Sequence, residues 1–261
     1  MIEPSQERLD SASLRRLPGF VIIGAQECGT TSLYRALISL PGCRPATRKE
    51  LVFFSDPRRR PGADLDVYRA CFPLESGAAV SGEASPGYLP QPEAARRLAA
   101  ALPDARVIVL LRNPADRAHS HWRHVVRAGR EPRAFEDAVI AGPRALLDDE
   151  GWATSEGLSF GYVPRGVYAP QPEPWLAAIP PANLRIVRSE DSFEDSPGTV
   201  RALARFIGLD EPPPESLPER RSAVPQSTMD PETRAILSDW YVPHNRRLYD
   251  LIGRDVGWEG S

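Results

Sequence analysis

Two spacings of apolar residues alternate along this chain. Short apolar runs predict buried strands at Phe20–Ile23, within "ARVIVLLRNP" (Ala105–Pro114), within "NLRIVRSE" (Asn183–Glu190) and at the start of "AAVSGEASPGYL", where the strand is expected to stop near Gly82. "ELVFFS" (Glu50–Ser55) reads as a short strand or an extended edge. Between these runs the spacing changes to that of helices. Ser32–Leu40 places Leu33, Leu37 and Leu40 at i, i+4 and i+7, and Pro41-Gly42 ends the run. "EAARRLAAAL" (Glu93–Leu102), "GTVRALARFIGL" (Gly198–Leu209) and "PETRAILSDWYVPHNRRLYDLIG" (Pro231–Gly253) read as helices.

The run at Ala105–Pro114 is apolar on both faces, as in a central parallel strand. A helix start follows it. Asn113 is a cap, Pro114 fits the first helical position, and Asp116 lies where a capping box puts an acid. That helix should reach Ala128 and stop at Gly129. Trp122, Val125 and Val126 belong to its core face. Strands alternating with helices predict an α/β fold, a P-loop-type parallel sheet flanked by helices on both faces. Residues 1–17 form a polar N-terminal arm, frayed or a short peripheral helix, and 18–261 a single domain. The irregular 141–165 segment and the Pro-rich 211–225 segment would shape access to a site.

Composition narrows the classes. A net charge of −3 excludes the broad electrostatic signature of a nucleic-acid binder. No apolar run has the length of a membrane span, and the first 20 residues lack the apolar core of a signal peptide. Three cysteines, Cys28, Cys43 and Cys71, cannot all pair with one another, which favours a reducing compartment; a cytoplasmic protein is the expectation. Lys49 is the sole lysine among 32 basic residues.

The stretch "VIIGAQECGTTSLYRAL" (Val21–Leu37) carries the chemistry. Gly24 and Gly29 have P-loop spacing between a strand and a helix, which aims backbone N–H groups at a common point. Thr30, Thr31 and Ser32 add hydroxyls. A tight turn without a ligand is the plain alternative. Nucleotide triphosphatases have lysine after the second glycine, and an acid at a neighbouring strand end for Mg²⁺. Here those positions hold Thr30 and Arg112, a pattern for phosphate without a metal. A P-loop kinase is disfavoured accordingly. His119, His121 and His124 share one helix, yet no cysteine or acid completes a metal-binding spacing, so no metal is expected.

"VIIGAQECGTTSLYRAL", "KELVFF", "GEASPGYL" and "VIVLLRNPADRAHSHW" occur in the order and at the approximate spacing of the sulfotransferases that use 3′-phosphoadenosine 5′-phosphosulfate (PAPS). The chain resembles the heparan-sulfate N- and O-sulfotransferase type and its bacterial relatives. "RGVY", "LRIVRSEDSFEDS", "ARFIGL" and "YVPHNRRLYDLIG" extend the likeness from about Phe20 onward. The resemblance implies that Gln26, Cys28, Gly29, Thr30, Thr31 and Ser32 hold the 5′-phosphosulfate, and that Arg112 and Ser120 bind the 3′-phosphate. It implies Glu50 as the base, with His124 assisting at the leaving oxygen or the acceptor. Glu83, near a strand end, is a second carboxylate candidate. An ion pair of Arg112 with Asp116, and a surface Lys49–Glu50 pair, are the ordinary alternatives. The implied partner is a small molecule or a sugar with a hydroxyl or amine acceptor. PAPS becomes PAP, and no metal, nucleic acid or membrane takes part.

One position departs from the pattern. The family loop reads Q-K-x-G-T-T with a catalytic lysine, and here Glu27 stands in its place. At about 4 Å two like unit charges repel by roughly 1 kcal/mol in water and about 4 kcal/mol at an effective dielectric of 20. The carboxylate has to be neutralised or turn away. Three consequences remain open: a working enzyme that draws its charge from Lys49, Arg48 or another arginine, a silent PAP- or PAPS-binding relative, or an inactivated variant. Val52 and Ser55 also differ from a histidine and an acid found in some branches, so the acceptor need not be a glycosaminoglycan. Arg220 and Arg221 form a basic pair that would approach the nucleotide or remain solvated.

Overall fold

The run at Phe20 becomes strand β1, Phe20–Gly24, with every residue buried. In the computed structural model, which describes residues 2–74, 80–140, 161–209 and 229–259, β1 pairs with two neighbours. These are β3 (Val80–Ala84) and β4 (Arg106–Leu111), and both pairings are parallel. β2 (Cys43–Pro45) lies outside β3 and β5 (Leu184–Arg188) outside β4, giving the order β2-β3-β1-β4-β5. The expected parallel sheet is therefore present. Phe20 sits opposite Gly82, and a Cβ there would approach the Phe20 ring to 2.2 Å, so only glycine lets the ring lie flat on β3. β3 continues two residues past the Gly82 expected as its end, because Ile22 keeps pairing with Ala84.

Among the described residues the α-helices are α1 (Gln6–Asp10), α2 (Thr30–Ile38), α3 (Pro61–Arg69), α4 (Pro92–Ala101), α5 (Pro114–Arg127), α6 (Phe135–Ile140), α7 (Glu173–Ala178), α8 (Ser189–Glu194), α9 (Ser196–Phe206) and α10 (Pro231–Ile252). None of them is long and apolar enough to cross a membrane. The chain falls into two compact units, one of Met1–Leu111 with Pro174–Arg220, the other of Arg112–Glu173 with Arg221–Ser261.

The first unit contains the sheet. α2 packs on β1, β2 and β3, and α9 packs on α2. At the N-terminus the second alternative holds: α1 is a short helix, and the guanidiniums of Arg8 and Arg15 donate to the Ala70 and Phe72 carbonyls at 2.6 to 2.9 Å. In the second unit α10 packs on α5 around Ala118, Val125, Phe135, Tyr162, Leu237 and Tyr241. Val126 is not core as expected; it points outward, since its neighbour Val125 takes the buried face. Asn113 caps α5 by accepting from the N–H groups of Ala115 (3.0 Å) and Asp116 (3.4 Å). The Asp116 carboxylate pairs with Arg234 on α10.

"ELVFFS" is not a strand. Glu50 and Val52 have φ of 63° and 50°, a left-handed backbone that leaves the pleat. Their N–H groups go to Ala84 O (3.0 Å) and Ser85 Oγ (3.2 Å). Residues 141–160 of the expected access segment, all of 211–225, and Arg220 and Arg221 lie outside the described residues.

Candidate functional site

Parallel pairing brings the ends of β1 and β3 to one edge of the sheet, the edge at which ligands collect in such folds. From β1 the chain turns through Ala25–Gly29 into α2. Ala25 donates to Leu110 O (2.7 Å), Ser189 Oγ donates to Cys28 O (2.8 Å), and the Cys28 thiol reaches Gln26 O. Gly29 caps α2 at φ 87°, and a side chain there would meet the Phe193 ring at 3.1 Å. The turn is thus held from both sides. α2 begins at Thr30, two residues earlier than its apolar spacing suggested, because Gly29 supplies the left-handed step.

The first N–H groups of a helix have no partner within its own ladder and carry partial positive charge. Around that end of α2, Cys28 and Thr30 are buried, Gln26, Glu27 and Thr31 half-buried, and Ser32 exposed. Glu27 has φ of 68° and is a strained, left-handed residue in the middle of the turn. Its side chain stands half-buried within the turn, neither deep in the core nor fully in solvent.

Glu50 lies at the same edge, tied through its N–H to the last residue of β3. Its carboxylate is 55% exposed and takes an ion pair from Lys49 at 2.5 Å. The surface pair anticipated for these two residues therefore exists, beside an open carboxylate. Glu83 differs in every respect. It is fully buried and accepts from Tyr68 OH (2.8 Å), Tyr88 OH (3.2 Å) and Ser85 Oγ (3.0 Å). Burial pushes its carboxyl up to about 7, against the pull of those hydroxyls.

The second unit holds the other expected residues. Arg112 and Ser120 are half-buried and His124 is exposed, Ser120 and His124 one helical turn apart on α5. Tyr168 clamps the backbone at Arg112: its hydroxyl donates to Arg112 O (2.9 Å) and accepts from Arg112 N (3.4 Å). Asp116 pairs with Arg234. His119 stacks on Trp122 and meets Phe135 edge to face, and burial lowers its pKa; His121 is buried against Tyr162. Both are packing residues. Among the described residues no group of three or more His, Cys, Asp or Glu could hold a metal.

Reasoning from sequence did not find Tyr68, Ser85, Tyr88, Ser189 or Tyr168. Ser85 and Tyr88 stood in "GEASPGYL", Tyr168 in "RGVY" and Ser189 in "LRIVRSEDSFEDS", but no spacing gave any of them a role, and Tyr68 lay in no motif.

The pattern for the sulfotransferase domain matches residues 17–229, which span the loop, Glu50 and the Arg112–Ser120 segment. The chain belongs to the sulfotransferase domain family. It is 29% identical over 271 residues to human bifunctional heparan sulfate N-deacetylase/N-sulfotransferase 3, covering 91% of this chain and 30% of that protein. It is 28% identical over 276 residues to mouse heparan sulfate glucosamine 3-O-sulfotransferase 3A1, covering 97% and 67%. The sulfotransferase chain therefore spans less than a third of the first relative and two thirds of the second. A crystal structure of a sulfotransferase from Alicyclobacillus acidocaldarius superposes with a TM-score of 0.75 at 31% identity, covering 93% of this chain and 99% of that one.

Proposed function

We propose that this sulfotransferase moves a sulfuryl group from PAPS to a hydroxyl or amine of a small molecule or sugar. The observation that supports this best is the turn at Gly24–Gly29, held by Ser189 and Leu110 and opening onto α2 without a P-loop lysine. The donor set suits a sulfate-phosphate anion: backbone N–H groups, the hydroxyls of Thr31 and Ser32, and the amide of Gln26. Arg112, its backbone fixed by Tyr168, suits a second phosphate, which it can grip in two-pronged fashion with Ser120 nearby in sequence. PAPS supplies the sulfuryl group and leaves as PAP.

In this reading Glu50 accepts the proton of the acceptor as its oxygen or nitrogen bonds to sulfur and the bond from sulfur to the phosphate oxygen breaks. The loop donors hold the charge that develops on that oxygen. Lys49, in contact with Glu50, orients the carboxylate. His124 stands exposed on α5 and is assigned to the acceptor side.

Glu27 favours a second reading, a chain that binds PAP or PAPS and turns over little, because it lacks the family's cation. One pair of measurements tests both. PAP is titrated by calorimetry without metal, with ATP as control, and PAPS turnover is then followed over a panel of phenol, amine and amino-sugar acceptors. Tight PAP binding with weak ATP binding is expected. Turnover in the parent supports the first reading. Turnover that appears only in Glu27→Lys supports the second. Equal affinity for ATP and PAP, or a Mg²⁺ requirement, overturns both.

A further inference from the structure

The 50–54 segment has an unusual backbone for its composition. Glu50 and Val52 both sit in the left-handed region, which a β-branched residue such as Val52 adopts only under external constraint. Three of its N–H groups find partners in one place, the end of β3 and the turn behind it. Glu50 donates to Ala84 O (3.0 Å), Val52 to Ser85 Oγ (3.2 Å) and Phe54 to Tyr88 OH (3.3 Å).

Two of those partners are relays. A backbone N–H can only donate, so Ser85 and Tyr88 accept with their oxygens and turn their own protons to Glu83, at 3.0 and 3.2 Å. Tyr68 donates to the same carboxylate at 2.8 Å. Every proton in this network points toward Glu83. That is the arrangement an ionised carboxylate requires, since it accepts only. A protonated Glu83 pulls less on the relay hydroxyls and needs one of the three hydroxyls to accept from it, which weakens their hold on the N–H groups behind them.

We infer that Glu83 is a positioning residue for Glu50: its buried carboxylate, acting through Ser85 and Tyr88, holds the left-handed backbone that sets where the Glu50 carboxylate points. The inference rests on Glu50 being the base. Glu83 cannot itself meet an acceptor, being fully buried and bonded to Tyr68, Tyr88 and Ser85. The titratable groups around it are Tyr68 and Cys71 on and after α3, Tyr88 behind β3, and Tyr34 on α2, all with pKa values raised by burial and so neutral near pH 7. Near neutrality the network therefore responds chiefly to the charge on Glu83, whose carboxyl lies close to 7.

The test compares the full-length parent with Glu83→Gln, Tyr88→Phe and Glu50→Gln. Amide hydrogen exchange at Val52 and Phe54 is measured at pH 6 and pH 8 and corrected for intrinsic chemistry. At pH 8, Glu83→Gln should exchange about 10-fold faster than the parent at both amides, the loss of one net hydrogen bond. Tyr88→Phe should do so at Phe54 alone, with Ile22 in β1 unchanged in every variant. The parent should lose protection at these amides on going to pH 6, and Glu83→Gln should show no such change. With the acceptor found in the panel, Glu83→Gln should lower kcat and leave the KM for PAPS intact. Unchanged exchange overturns the inference whatever Glu50→Gln does. Faster exchange with an undiminished kcat in Glu83→Gln overturns it too, provided Glu50→Gln is inactive. If Glu50→Gln keeps full turnover, it is the base assignment that fails. Should Glu83→Gln not fold, Tyr88→Phe and Ser85→Ala carry the same comparison.

Discussion

Two carboxylates flank the end of β3, and their surroundings divide them. Glu50 is 55% exposed and paired with Lys49, a contact that contributes at most about 1 kcal/mol to stability at such a site. Its value would lie in catalysis. Glu50→Gln is expected to lower kcat by about 10²- to 10⁴-fold, the usual contribution of a general base, while calorimetry finds PAP affinity unchanged. Glu83 acts on stability in the opposite sense to most carboxylates. Its folded pKa of about 7 lies above the unfolded value near 4.5, so the folded chain binds the extra proton. Its contribution to stability is complete below pH 4.5 and is lost as pH rises through 7, about 3 kcal/mol in all. In urea unfolding from pH 4 to 8, the parent should lose about this much more stability than Glu83→Gln. Equal pH dependence would mean that Glu83 titrates alike in the folded and unfolded chain. The charge that holds the 50–54 backbone is thus kept at a cost in stability, a common trade at functional sites.

At the level of elements, the caps carry clear expectations. Asn113→Ala removes the acceptor for two N–H groups at the start of α5 and should cost about 1 kcal/mol, read as a lowered Tm. Gly29→Ala forces a Cβ into a left-handed position against Phe193 and should cost about 1 to 2 kcal/mol, with PAP affinity falling alongside. Much of this was legible in advance. Asn113-Pro114 and Gly129 marked both ends of α5, and the two-sided apolar run at Arg106–Leu111 marked a strand enclosed by neighbours. "ELVFFS" misled because its apolar residues are buried by an aromatic cluster, not by a ladder, and left-handed φ values have no signature at Glu or Val. The partners of Glu83 stayed hidden for a related reason. Tyr68 is brought to it by the packing of α3, 15 residues earlier in the chain, and hydrogen bonds across such separations leave no local pattern.

For the molecule as a whole, ligand binding and stability are linked. PAP at 100 times its Kd should raise the unfolding free energy by about 2.7 kcal/mol, visible as a shift in Tm. Arg112→Ala should lower PAP affinity about 30-fold, near 2 kcal/mol for a lost charged contact, and reduce that shift at fixed PAP. An unaltered affinity would remove Arg112 from the site. The contact between Lys49 and Glu50 has a practical consequence as well. In a chain of 261 residues with one lysine, a reagent that acylates primary amines finds a single side-chain target, three-quarters enclosed and held by its neighbour's carboxylate. The rate at which that one adduct forms, followed by mass spectrometry, reads out the ion pair itself, without background from any other side chain.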